Sequence, residues 1–324
     1  MKSARLFGLV SLLALGFADV ALSEVSFELV YAVGDFGIGR ESFDRPVDVA
    51  EDRDENIYVV DQGNNRVQVL DRRGRFVREW GGRGFTPRHF DVPSAIATDR
   101  NSSRFYVVDT LNHRIQVFDP DGTLSRTGPG GKSISNPIGR LGSRSGDFNG
   151  PKDVAVDKKG NIFVADTGNN RIQKFDPSGV FLQEWGKFAR RRGVEISNPV
   201  SIAYSDEGFG NIYVLNSPEC KVKQFDIDGN FIKEWPIHRK GEGAACGPSS
   251  RIRIEPRRYT VYIADTENDR VLLFDKDGEP LGELKEGKAP FRKPAGLCVS
   301  DAFGETVVVA DTGNNLIQKL RRAR

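Results

Sequence analysis

One short pattern recurs six times along this chain: a hydrophobic pair, an Asp or Asn, a polar turn, and a residue that opens another apolar stretch. The copies are Asp61-Gln-Gly-Asn-Asn-Arg66, Asp109-Thr-Leu-Asn-His-Arg114, Asp166-Thr-Gly-Asn-Asn-Arg171, Asn216-Ser-Pro-Glu-Cys-Lys221, Asp265-Thr-Glu-Asn-Asp-Arg270 and Asp311-Thr-Gly-Asn-Asn-Leu316. Their first residues are separated by 48, 57, 50, 49 and 46 positions. Such a period belongs to propellers and related repeat architectures, where a unit too small to bury its own apolar face needs its neighbours to cover it.

Each period holds four strand-length apolar segments. In the third they are Asp153–Val156, Ile162–Ala165, Ile172–Phe175 and Phe181–Trp185. Their β-branched and aromatic residues, with turns such as Pro177-Ser-Gly179, predict four antiparallel strands, a to d. The sixth period runs out of chain after strand c, whereas residues 27–34 precede the first strand a and carry the spacing of a strand d. An amino-terminal strand that completes the last sheet closes a ring and removes its exposed edges. The expected fold is therefore all-β: a six-bladed propeller of four-stranded antiparallel blades over residues 24–324, closed by its own first strand.

Composition narrows the function. With 47 Lys and Arg against 45 Asp and Glu, the chain carries a net charge of +2, so any attraction for anions must be local. After residue 23 no apolar run is long enough to span a membrane. Before it, Lys2 and Arg5 precede an apolar run from Leu6 to Ala18, followed by Ala21-Leu22-Ser23. Residues 1–23 read as a signal peptide, which places the expected protein outside the cytoplasm, periplasmic or extracellular.

Pro151-Lys-Asp-Val-Ala-Val-Asp through Gly160-Asn-Ile-Phe-Val-Ala-Asp-Thr-Gly-Asn-Asn-Arg-Ile172 resembles an NHL repeat. The likeness covers roughly 27–320, is weaker in the fifth period, where Arg251-Ile-Arg-Ile254 replaces the usual strand a, and is weakest in the fourth. The resemblance implies a six-bladed propeller. Its members include secreted and receptor-sensor domains, RNA-binding domains of tripartite-motif proteins, and a peptide-amidating lyase. In that lyase zinc-binding His residues follow the strand-a Pro; here Val47, Ser94, Lys152, Val200, Ser249 and Ala295 stand in those places, so no metal or other cofactor is expected.

The turn Asp and Arg are expected to be structural partners. Two copies break the pairing: Lys221 faces a neutral Asn216, and Asp311 faces Leu316. Propeller topology puts the b–c turns and d–a connections on one face. There the connections 128–150, 186–198 and 236–247 accumulate positive charge. The candidate ligand-binding residues are Lys152, Arg190, Arg191, Arg192, Lys221, Arg239, Lys240 and Arg251, and a cationic surface of this kind suits an anionic polymer or a protein. His89, His113 and His238 fall on the same face at spacings that do not suggest a ligand set. Cys220 and Cys246 also reach it and could form a disulfide, leaving Cys298 as a small buried thiol.

The primary expectation is a secreted or periplasmic binding scaffold with no catalytic residues. The alternative is a lyase or hydrolase working in the central channel, with Tyr204, Arg251 and Arg253 as candidates. RNA binding ranks last, since an export signal separates the protein from RNA.

Overall fold

A computed structural model describes residues 25–128, 133–186, 195–217, 219–238, 246–284, 290–300 and 305–323. Blade 1 contains β2 (Pro46–Glu51), β3 (Ile57–Asp61), β4 (Arg66–Leu70) and β5 (Phe76–Gly81). Blade 2 has β6 (Pro93–Thr98), β7 (Phe105–Asp109) and β8 (Arg114–Phe118). Blade 3 is β9 (Asp153–Val156), β10 (Ile162–Asp166), β11 (Arg171–Phe175) and β12 (Phe181–Trp185), and blade 4 is β13 (Pro199–Ser205), β14 (Asn211–Asn216), β15 (Lys221–Asp226) and β16 (Phe231–Pro236). Blade 5 is β17 (Arg251–Ile254), β18 (Val261–Asp265), β19 (Arg270–Phe274) and β20 (Pro280–Leu284). Blade 6 combines β21 (Pro294–Ser300), β22 (Thr306–Asp311) and β23 (Leu316–Arg322) with β1 (Phe27–Val33), which pairs antiparallel with β23. The ring closes through its first strand, as the sequence predicts.

Strand pairing alone does not hold the blades together. Six buried apolar clusters do, and each unites one blade with the next: Tyr58 and Trp80 with Phe105 and Phe118, for example, or Val200 and Val222 with Ile252 and Val261. The ring of Tyr58 stacks on Phe105 with centroids 3.7 Å apart. Each fully buried side chain of this size contributes about 1.5–3 kcal/mol, so the core belongs to the seams between blades. Trp80, Trp185 and Trp235 on the outer strands lie against Gly122, Gly229 and Gly278 in the c–d turns of the following blades. At all three φ is positive, and a Cβ would sit within 2.5 to 2.8 Å of the indole. The Asp-x-Asp-Gly turns therefore need glycine for both backbone and packing.

Blade 2 departs from the four-strand expectation. Where a regular outer strand d is expected near Leu124, β8 makes isolated bridges to Leu124 and to Ile138. Between them the Asn136 side chain accepts from the Val117 amide and donates to the Val117 carbonyl. The carboxamide thus helps satisfy Val117, whose carbonyl also takes the Ser125 amide, while Ile138 pairs with both backbone groups of Ile115, so the edge is covered piecemeal.

Candidate functional site

The b–c turns explain both the repeated motif and the shape of one face. In blade 3, Asp166 accepts the Asn149 amide, and Arg171 donates through Nε to Asp166 at 2.7 Å. The rest of the Arg171 guanidinium reaches Glu184 and the carbonyls of Ser143, Arg144 and Asp147, while Asn169 donates to the Gly142 carbonyl. Arg66 holds the carbonyls of Ile38, Gly39 and Ser42 in the same way, and Arg114 holds those of Thr86 and His89. Each clasp therefore fixes the d–a connection leading into its own blade. Burial raises the carboxyls of Asp61 and Asp109 above the usual range, opposed by the hydrogen bonds that hold them.

The same turns stitch neighbouring blades. Thr110, Thr167, Thr266 and Thr312 donate to the carbonyls of Pro151, Pro199, Pro294 and Pro46, each at the start of the next blade. The fifth turn residue accepts an amide from the next blade: Asn65 from Val92, Asn170 from Asn198, Asp269 from Lys293 and Asn315 from Arg45. His113 does this work in blade 2, where its Nδ1 accepts the Gly150 amide, so it replaces Asn as an acceptor.

Fixed in this way, the connections of blades 1 to 3 repeat one conformation. Phe43, Phe90 and Phe148 are buried anchors whose amides and carbonyls bond back across the loop to Asp35 and Gly37, Gly82 and Gly84, and Arg140 and Gly142. The loops raise Phe36, Ile38, Phe85 and Leu141 to solvent at 74%, 82%, 79% and 65% exposure. Leu111, in the blade 2 b–c turn, is exposed on the same face.

The axis behind that face is filled. Arg253 donates to Asp48 at 2.8 Å and to Asp153 at 3.0 Å, joining blades 5, 1 and 3 in a buried knot. Burial, with Asp153 as a like charge, pushes the Asp48 carboxyl up to about 6 despite Arg253. Asp153, against the burial that would raise it, is pulled down by Arg253 and Arg251. One layer nearer the loop face, Arg251 is 2% exposed and donates to the carbonyls of Ser94, Lys152, Val200 and Ser250. Its Nε has no partner among the described residues, and burial together with Arg251 pulls the Lys152 ammonium down. Among the described residues, neither Lys152 nor Arg251 forms an ion pair with a carboxylate.

On the opposite face the a strands end in a funnel of about 180 Å³ whose lining includes Glu51, Tyr204, Arg253 and Cys298. A groove of about 380 Å³ runs on past Arg100, Asp157, Lys158 and Tyr204. Burial and Asp157 raise the Tyr204 hydroxyl, and burial and then Glu51 push the Cys298 thiol up to about 12. Cys298 is half-buried on the funnel wall, where a small buried thiol was expected. Of the three channel candidates, Tyr204 and Arg253 share the funnel, while Arg251 lies in the layer beyond it.

The expected cationic residues divide. Lys152 and Arg251 converge at the axis. Lys221 is no unpaired charge, because Glu234 on the adjacent strand takes its ammonium at 2.6 Å, and Arg140 pairs with Asp147 at 3.0 Å. Arg190, Arg191, Arg192, Arg239 and Lys240, like the signal segment, lie outside the described residues. The structure does bring Cys220 and Cys246 together, without a disulfide between them, and with His238 beside them. No sequence signal singled out the exposed apolar residues, although their spacing before the anchoring Phe is readable in hindsight.

The NHL repeat model matches residues 148–175, which is blade 3 from its anchoring Phe to the end of strand c. The chain is a six-bladed propeller that carries an NHL repeat in its third blade. It is 28% identical over 156 residues to Protein brain tumor of Drosophila melanogaster, a match covering 47% of this chain and only 13% of that protein. Among solved structures, virginiamycin B lyase from Staphylococcus aureus is similar at a TM-score of 0.60 and 12% identity, covering 92% of this chain and 100% of that one. A gluconolactonase from Xanthomonas campestris gives a TM-score of 0.60 at 16% identity over 87% of this chain and 88% of that one. At these identities the likeness speaks for the propeller fold alone.

Proposed function

We propose that the protein is an exported binding scaffold whose b–c and d–a face takes an acidic, partly apolar surface of another protein. The observation carrying this reading is the triplicated d–a connection, held rigid by its Arg clasp while large apolar side chains stand in solvent. Exposed apolar side chains gathered on one face mark an interaction surface, and rigid presentation lowers the ordering entropy of binding. At the axis of the same face Lys152, which forms no carboxylate ion pair among the described residues, supplies positive charge and favours an anionic group, while Arg251 behind it is buried and engaged by backbone carbonyls. Arg190, Arg191, Arg192, Arg239 and Lys240 belong by sequence to connections of that face and extend its charge.

The test uses the full chain as bait on envelope extract or culture medium. Capture of an acidic protein should fall at least about tenfold when Phe36, Phe85 and Leu141 are all replaced by Ser, and should weaken with rising salt. Salt-insensitive capture that is unchanged in the triple variant contradicts the proposal, and capture abolished by nuclease favours RNA. A mature amino terminus beginning after residue 23 supports export.

The enzyme reading rests on the funnel, where Tyr204, Cys298 and Arg253 meet. There the Arg253 fork is already engaged by Asp48 and Asp153, so the guanidinium is not free to bind a substrate anion.

A further inference from the structure

At five of the six seams the fifth residue of the b–c turn offers an Asn, Asp or His atom to an amide of the next blade. At the seam between blades 4 and 5 that residue is Cys220, and its Sγ accepts the amide of Cys246. Strand d of blade 4 runs on to His238, whose Nε2 lies 4.0 Å from the Cys246 Sγ. One donor atom from each of Cys220, His238 and Cys246 lies within 4.8 Å of the others. We propose that these three side chains form a zinc site joining the turn, the outer strand and the outgoing connection of blade 4.

The donor set is that of a thiophilic d10 cation: two sulfurs and one imidazole. Zinc bonds of about 2.3 Å to sulfur and 2.0–2.1 Å to nitrogen place tetrahedral ligands roughly 3.6–3.8 Å apart, so the cluster needs to contract by no more than about 1 Å. The surroundings supply what a metal thiolate needs next. The Cys246 amide already points at the Cys220 sulfur, and Asp265 Oδ2 stands 3.8 Å from His238 Nδ1; metal at Nε2 puts the ring proton on Nδ1, where Asp265 accepts its hydrogen bond once the Arg270 guanidinium, which donates there at 3.1 Å in the metal-free site, turns aside. Binding breaks two S–H bonds, forms two S–Zn bonds and releases two protons, leaving one zinc position for water or another ligand. A groove of about 460 Å³ lined by Trp235, Arg270 and Leu272 reaches His238 from outside.

Cys246, His238 and Asp265 also stand in the order of a nucleophilic triad, but two observations oppose that use. Arg270 donates to His238 Nδ1 at 3.1 Å, which leaves the proton of the neutral ring on Nε2, facing the thiol. Cys246 is buried, and burial together with Cys220 pushes its thiol up, the opposite of an activated nucleophile.

The experiment is metal analysis of the full chain purified under reductant, followed by titration of the stripped protein with Co2+. The expected result is one equivalent of zinc and a thiolate-to-cobalt charge-transfer band that saturates at one equivalent. Cys220→Ser, Cys246→Ser and His238→Gln should each lose the band, and Cys298→Ser should keep it. Asp265→Asn should weaken binding about 10–100-fold. His238→Gln leaves both thiols in place and is read beside thermal melting, so loss of metal is separable from loss of fold. Three results would overturn the site: no retained zinc and no cobalt band, metal retained by the Cys220→Ser/Cys246→Ser variant, or a single reactive thiol in metal-stripped, denatured protein that had been kept under reductant. The outcome is independent of whether the loop face binds a partner.

Discussion

The two faces of this ring are made from opposite ends of the same strands, yet they are built differently. On the b–c and d–a side a buried Asp–Arg pair in each of blades 1 to 3 locks a connection into place, and the loop spends its exposed positions on Phe36, Ile38, Phe85 and Leu141. On the other side, short turns surround a funnel that ends on the Arg253 knot. One face is a rigid presented surface; the other is a shallow cavity with its one central cation already satisfied. The difference favours binding across the first face over chemistry in the second.

The largest expected effect comes from cutting the partition between them. Arg253→Ala leaves Asp48 and Asp153 buried without their cation and should cost roughly 3–5 kcal/mol in denaturant unfolding, since an uncompensated buried charge is far worse than a lost contact. A loss below about 1 kcal/mol would mean that the axis is wetter than the knot implies. Breaking one clasp ranks next: Arg171→Ala should cost about 3 kcal/mol and raise amide exchange across 142–148, with little change around the funnel.

A smaller effect separates the faces by pH. The folded Asp48 carboxyl sits at about 6, above the ordinary range near 4, so the folded chain holds this proton more tightly than the unfolded chain. Its contribution to stability is full below about pH 4 and is lost as pH rises through about 6. Stability measured against pH should therefore be flatter across that interval in Asp48→Asn than in the parent, and parallel curves would contradict the assignment. The smallest effect belongs to Lys221→Ala, which removes a half-exposed pair with Glu234 and should change stability by about 0–1 kcal/mol.

Much of this was legible in the chain. The period, the closing strand at 27–33 and the structural role of the Asp–Arg turn all follow from local pattern, because strands and hairpins are short-range objects. Blade 2 was harder, since isolated bridges to Leu124 and Ile138 and the Asn136 side chain share the work expected of a strand. The axial knot was not legible: Arg253 meets Asp153 and Asp48 from 100 and 205 residues away, and only ring closure makes them neighbours. Lys221 looked unpaired because the turn was read alone, while its partner Glu234 sits across the sheet. His238 failed every sequence spacing rule for a metal ligand and still arrives beside two thiols, because the ring repeats one contact at every seam.

The account stands or falls on which face a partner covers. Hydrogen–deuterium exchange on the full chain with its captured partner reads this directly. Protection should appear at 35–42, 83–89 and 140–147, leaving 98–100, 156–158 and 204–206 unchanged. Protection confined to those latter segments would put the partner over the funnel and contradict it.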